Sequence, residues 1–198
     1  MMELIKLLNQ PKFINISSQD AYGQSLTQIK DINELNKLLI SESLLYENFS
    51  SYGASKLGSE YIFDYSSEIF NFQNVNLRIP AIVGYDSYKN PSTFISKVAS
   101  KLLKNEPLVL FNKDALFNNL IHLKTLAEII KYLISDNINL KLIPKTINIS
   151  SKTPIHLNEV IKLMKNYLKS KSIIDYKVNL IQSKIINTSL AESLNIPL

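Results

Sequence analysis

The segment from Lys12 to Ile79 does most to restrict what this chain can fold into. Lys12-Phe13-Ile14-Asn15-Ile16-Ser17 is a short apolar run that reads as a buried strand, and it ends in two serines, Ser17 and Ser18. A long polar connection, Gln19 to Leu44, follows, with helix expected around Asp31 to Ile40. Ser50 to Phe72 then reads as one long helix, with Leu57, Tyr61, Phe63, Tyr65 and Ile69 available for packing. Val75 to Ile79 is the next strand. Strand and helix in alternation argue for an α/β core.

The rest of the chain keeps the alternation. Helices are expected at Thr93 to Lys104, Lys124 to Ser135, Ile155 to Lys169 and Thr188 to Leu194. Strands are expected at Leu108 to Phe111, Leu116 to His122, Thr146 to Ile149 and Ile173 to Val178. Met2 to Asn9 reads as the end of an amphipathic helix, stopped by Gln10-Pro11. No internal repeat is present.

Tyr52 and Lys56 open the long helix four residues apart, so they share one face of it. An ammonium beside a phenol favours the phenolate. A serine hydroxyl at the end of the neighbouring strand can bond the same reacting oxygen. Serine, tyrosine and lysine together suit proton transfer in alcohol–carbonyl chemistry. The spacing alone is weak, because a chain with ten tyrosines repeats it at Tyr85…Lys89 and Tyr167…Lys171. Context separates them. Tyr85…Lys89 lies in a turn-rich segment, and Tyr167…Lys171 ends a lysine-dotted helix. Only Tyr52…Lys56 follows a serine-ended strand and opens a long periodic helix.

Three segments in order carry a resemblance. They are Phe13-Ile14-Asn15-Ile16-Ser17-Ser18-Gln19-Asp20-Ala21-Tyr22-Gly23, then Tyr52-Gly53-Ala54-Ser55-Lys56, then Leu77-Arg78-Ile79-Pro80-Ala81-Ile82-Val83-Gly84. The chain resembles the extended short-chain dehydrogenase/reductases, and within them the NAD-dependent epimerase/dehydratase group acting on nucleotide sugars. The resemblance covers the later part of a family member. It implies the C-terminal part of a Rossmann-like, doubly wound parallel sheet in residues 1–85. Residues 86–198 are then mainly a small α/β substrate lobe with segments returning to the main sheet. It implies NAD or NADP as cofactor and a nucleotide-diphosphate sugar as ligand, with a role in surface-polysaccharide synthesis.

The resemblance also assigns roles. Tyr52 is the general acid–base, Lys56 favours its phenolate form and holds the nicotinamide ribose, and Ser18 bonds the sugar oxygen being oxidised. Pro80 and Ile82 line the nicotinamide side. Dehydratases of the family carry Asp-Glu where this chain has Gln19 and Asp20. An amide is no acid, so an epimerase or 4-keto reductase is favoured over a dehydratase. Arg78 reads as a buried partner for a carboxylate. Asn118 stands where many members have an arginine for the diphosphate, and an amide lacks that charged fork. Lys113 is the alternative cation. His122 reads as a packed strand residue and His156 as a surface one.

The glycine-rich turn that cradles a dinucleotide pyrophosphate is not in this sequence. Its four glycines, Gly23, Gly53, Gly58 and Gly84, match neither that motif nor a P-loop, since Ser59 stands where a P-loop needs lysine. Only 16 residues precede Ser17, and a βαβ unit takes roughly 30. The strand from Lys12 is therefore expected to be a sheet edge, which promotes association. Two readings follow. One is a nucleotide-sugar epimerase or reductase in truncated or split form, completed by a partner chain that supplies the dinucleotide-binding half, with a homodimer as a further expectation. The other is a non-catalytic remnant or interaction subunit that keeps the sugar-nucleotide lobe.

Composition narrows the rest. Without cysteine, disulfides, thiolate metal sites and cysteine nucleophiles are excluded, and two histidines far apart make no metal site. The net charge of +5 comes from scattered lysines, Arg78 is the sole arginine, and no aromatic–basic cluster occurs, which argues against nucleic acid. No apolar run is long enough for a membrane span, and no signal peptide opens the chain. A cytoplasmic location is expected.

Overall fold

The computed structural model describes residues 11–22, the backbone of 38–40, and residues 50–84, 93–178 and 184–198. The strand β1 (Lys12–Ser18) runs into a 3-10 turn at Gln19–Tyr22. After β2 (Leu38–Ile40) comes the long helix α1 (Ser51–Phe70), then β3 (Gln73–Ile79) and β4 (Ala81–Val83). The second half holds α2 (Phe94–Leu103), β5 (Leu108–Phe111), β6 (Leu116–Phe117), β7 (Leu120–His122), α3 (Leu123–Ile134) and β8 (Thr146–Asn148). It ends with β9 (Ile155–His156), α4 (Leu157–Tyr167), β10 (Ile174–Lys177), β11 (Lys184–Ile186) and α5 (Ser189–Ser193). The fold is α/β with parallel strands, as expected.

The central sheet is parallel, in the order β1-β3-β8. Among the described residues β1 has a strand neighbour on one side only, the edge expected from the sequence. Side chains alternate across a strand, and here alternation separates two chemistries. Ile16, Leu77 and Ile147 form one row across the three strands, with Ile14 beside Val75 in the row before. These rows face an apolar core with Leu126, Ile129 and Leu133 of α3 and with Ala191 and Ile196. The intervening rows are polar: Asn15, Asn76 and Thr146 in one, Ser17, Arg78 and Asn148 in the next. They face α1.

α1 is built to meet a polar surface. Its buried residues are Gly53, Glu60 and Ser67, while Tyr61, Ile62, Tyr65 and Ile69 are exposed. This corrects the expected packing stripe: Tyr61, Tyr65 and Ile69 point outward, because the sheet beneath offers hydrogen-bonding groups. Asp64 Oδ1 accepts from the amides of Asn74 at 2.7 Å and Asn76 at 3.0 Å. Lys145 Nζ donates to Ser67 Oγ at 2.7 Å and Asn74 Oδ1 at 3.0 Å. Phe13 closes the far end against Phe63 and Phe72.

A second, smaller core gathers Val98 and Leu102 of α2, Leu108 and Leu110 of β5, and Leu157 and Ile161 of α4. β5 pairs in parallel with β10. β2, β11, β6 and β9 form a further sheet, and β4 pairs with β7. Several expected boundaries move. Leu38–Ile40 is strand paired with β11, where helix was expected; Asp31 to Lys37 lies outside the described residues, as do Met2 to Asn9. The expected strand Leu116 to His122 breaks at Asn118-Asn119, and Ile155–His156 is strand ahead of α4. β11 follows the strand expected to be the last. Among the described residues no helix is long and apolar enough to cross a membrane.

Candidate active site

Ser50 starts α1 because its Oγ accepts from the Gly53 amide at 2.9 Å, satisfying a donor that the first turn leaves unpaired. The helix start is pressed onto the turn that follows β1. A Cβ placed on Gly53 would lie 2.2 Å from the Asp20 carbonyl oxygen. Only glycine allows that approach, and it sets the height of Tyr52 and Lys56 over the end of β1. Lys56 Nζ donates to the Ile16 carbonyl at 2.8 Å and lies 5.7 Å from the centre of the Tyr52 ring. Tyr52 is 53% exposed. Its hydroxyl makes no hydrogen bond to a described residue.

Ser18 closes β1 two residues beyond Ile16, and its Oγ accepts from the Asp20 amide at 3.1 Å. The structure thus brings Ser18, Tyr52 and Lys56 to the same end of the β1–α1 pair. No hydrogen bond joins Ser18 to Tyr52, and Ser18 is held as the cap of the following turn. Pro80 is buried between β3 and β4, and Ile82 is 38% exposed. The two decoys separate as expected where they can be seen. Tyr167 is the last residue of α4 and Lys171 lies past its end; Tyr85…Lys89 falls outside the described residues.

Beneath Lys56 sits a buried ionic group. Glu60 and Arg78 are 3% and 5% exposed. Arg78 Nε and Nη2 grip the Glu60 carboxylate at 2.9 and 2.7 Å, a forked pair. Ser17 Oγ donates to the same carboxylate. The guanidinium lies 4.6 Å from the centre of the Tyr22 ring, and the Tyr22 hydroxyl donates to Asn148 Oδ1 at 2.7 Å. Burial alone would lower the basicity of Arg78, but Glu60 and Tyr22 hold it above the ordinary arginine value. Arg78 is the carboxylate partner expected from the sequence, and Glu60 is the partner sequence reasoning did not name. The signal was present: Tyr52, Lys56 and Glu60 recur every four residues, and the sole arginine stands near the end of a strand.

Three further residues weighed in the sequence have structural duties. Asn118 exchanges two hydrogen bonds with the Ile186 backbone, at 2.9 and 2.8 Å, and its carbonyl accepts from Ser150 and Ser151. It is therefore committed to the fold. His122 is an exposed cap whose Nδ1 accepts from the Lys124 amide at 3.1 Å, contrary to a packed strand residue. His156 Nδ1 lies 2.8 Å from the Asp114 carbonyl.

A model of the family described as NAD dependent epimerase/dehydratase matches residues 1–150. The chain belongs to that family. Its epimerase fold is shared with solved structures of low identity. UDP-glucuronic acid 4-epimerase from Bacillus cereus, in complex with NAD, superposes with a TM-score of 0.75 at 20% identity, over 100% of this chain and 58% of its own. UDP-glucose 4-epimerase from Thermotoga maritima, with UDP-glucose, gives 0.70 at 17% identity, over 97% and 59%. RMD from Pseudomonas aeruginosa, complexed with NADPH, gives 0.70 at 17%, over 95% and 60%. The chain spans less than two thirds of the length of each. None of the curated proteins matches it.

Proposed function

We propose that this epimerase-family chain carries the acid–base and sugar-binding part of an NAD(P)-dependent nucleotide-sugar epimerase or 4-keto reductase. The observation that carries the reading is Lys56, anchored on β1 at 2.8 Å and set beside an exposed Tyr52 whose hydroxyl bonds no described residue. An ammonium has three donors, and Lys56 uses one of them on a described residue, so the others can meet the hydroxyls of a ribose. Tyr52 then moves the proton of the sugar hydroxyl, with Lys56 favouring its phenolate form. Ser18 bonds the same sugar oxygen once the Asp20 amide shares it. Pro80 and Ile82 wall the nicotinamide side.

The residues fit a nicotinamide cofactor at its reactive end only. When bound, the nicotinamide supplies the acceptor and donor of hydride. The pyrophosphate end needs a glycine-rich turn that these 198 residues lack. We place that turn on polypeptide outside them, supplied by a partner chain or by more of the same one, against the edge of β1 that has no strand neighbour among the described residues. The second core, around Val98, Leu108 and Ile161, serves as the lobe over the nucleotide sugar. Gln19 in place of a carboxylic acid favours epimerisation or reduction over dehydration. Such a protein acts in the cytoplasm, in synthesis of surface polysaccharide, and a homodimer is its expected assembly.

Titration of the purified chain with NADH, NADPH and a UDP-sugar tests this. The sugar nucleotide is expected to bind without the dinucleotide-binding half, and the cofactors only weakly. With the other half present, Tyr52→Phe is expected to lower turnover by about 100- to 10,000-fold while sugar binding persists. Sugar-nucleotide binding with no turnover even when the other half is present would favour the alternative, a non-catalytic remnant or interaction subunit that keeps the sugar-nucleotide lobe.

A further inference from the structure

The buried group under Lys56 is larger than stability alone explains. Ser17, Arg78 and Asn148 are register partners across β1, β3 and β8, so they form one row of the sheet. Glu60 reaches that row from α1, and Tyr22 reaches it from the turn after β1. The row lies one residue before Ser18 and one after Ile16, the residue that receives Lys56. Tyr52, Lys56 and Glu60 lie on one face of α1 at successive four-residue steps. A helix resting on apolar side chains can slide or rotate slightly at little cost. A helix whose carboxylate is gripped by a planar fork and a hydroxyl has one register.

We propose that Glu60 is a positioning residue. Through Ser17 and Arg78 it fixes the rotation and height of α1, and thereby the placing of Lys56 on Ile16 and of Tyr52 near Lys56. Tyr22 extends the same clamp to the turn that carries Gln19 and Asp20. The inference rests on the proton-transfer reading of Tyr52 and Lys56. It adds that their geometry is imposed from below, by a group that touches neither substrate nor cofactor.

The test uses the whole 198-residue chain by NMR, without cofactor or sugar. The readouts are the Ile16 carbonyl carbon shift, which reports the Lys56 hydrogen bond, and nuclear Overhauser contacts between the Lys56 side chain and the Tyr52 ring. Both are expected in the wild type. In folded Glu60→Gln and Glu60→Asp the Ile16 shift is expected to move toward that of Lys56→Met, with loss of the Lys56–Tyr52 contacts. Ser17→Ala, which removes one hydroxyl, is expected to give a smaller change in the same direction, and it decides the matter if the Glu60 variants do not fold. Variants that fold and leave both signals unchanged overturn the proposal, as does an unchanged Ser17→Ala where the others fail to fold. Failure of the underlying reading looks different. There, the wild-type signals are present and depend on Glu60, but millimolar NADH and UDP-sugar move neither.

Discussion

α3 buries Leu126, Ile129 and Leu133 on one face of the central sheet, whereas α1 buries Gly53, Glu60 and Ser67 on the other. The same sheet supplies both surfaces, Leu77 and Ile147 to the core under α3, Ser17 and Arg78 to Glu60 of α1. The apolar side gains from area removed from water, which is non-directional. The polar side gains little net free energy per hydrogen bond but heavily penalises any unpaired member. The contrast suits the proposed function, in which α3 has only to stay attached, while α1 has to hold Tyr52 and Lys56 in one placement.

Breaking the polar side should therefore have the largest effect. Glu60→Gln leaves Arg78 buried without its counter-charge and is expected to cost about 3–5 kcal/mol in urea unfolding. Removing both charges, as in Glu60→Gln with Arg78→Met, should recover a large part of that loss. If the double variant is no better than the single, the pair is not the unit described here. Gly53→Ala comes next, since its methyl meets backbone at Asp20; overpacking of that kind costs about 1–3 kcal/mol. It should also loosen the Lys56–Ile16 bond, visible as faster hydrogen exchange at the start of α1. On the apolar side Ile129→Val is expected to cost only about 0.5–1.5 kcal/mol by the same unfolding measurement, with the Tyr52 environment unchanged.

The smallest expected effect is at Glu192, on the exposed rim of α5. The Thr188 hydroxyl, and then Lys152, hold its carboxyl below the ordinary 4.5. A depressed carboxyl contributes stability above its unfolded value, and that contribution is lost as pH falls through the folded one. Glu192→Gln should therefore flatten the melting temperature slightly as pH drops below about 4.5, and leave the comparison of the two sheet faces untouched. A large acid-side change in that variant would show that the rim matters more than its exposure implies.

Much of this organisation was legible in the residues. Alternating apolar runs and periodic segments gave most of the order of strands and helices, and context separated Tyr52…Lys56, opening α1, from Tyr167…Lys171, at the end of α4. Arg78 declared a buried carboxylate because it is a lone arginine in a strand. The facing of α1 was not legible. Periodicity locates a stripe, and Tyr61, Tyr65 and Ile69 form one, but it does not say that the sheet beneath is polar. That depends on which parity of β1 and β3 faces the helix, a tertiary fact. Leu38–Ile40 became strand for a similar reason: its pairing partner, β11, lies far along the chain. Asn118 reads in the sequence only as an amide where many family members have a diphosphate-binding arginine, and its two bonds to the Ile186 backbone come from a partner far along the chain.

The claim on which the account rests is that Tyr52 and Lys56 face one ligand at the end of β1. Tyrosine-ring and lysine side-chain NMR signals of the full chain, followed during titration with a UDP-sugar and then NADH, test it most directly. The account predicts that Tyr52 and Lys56 shift together while Tyr167 and Lys171 stay fixed. Saturating ligand that moves the second pair, or neither, contradicts it.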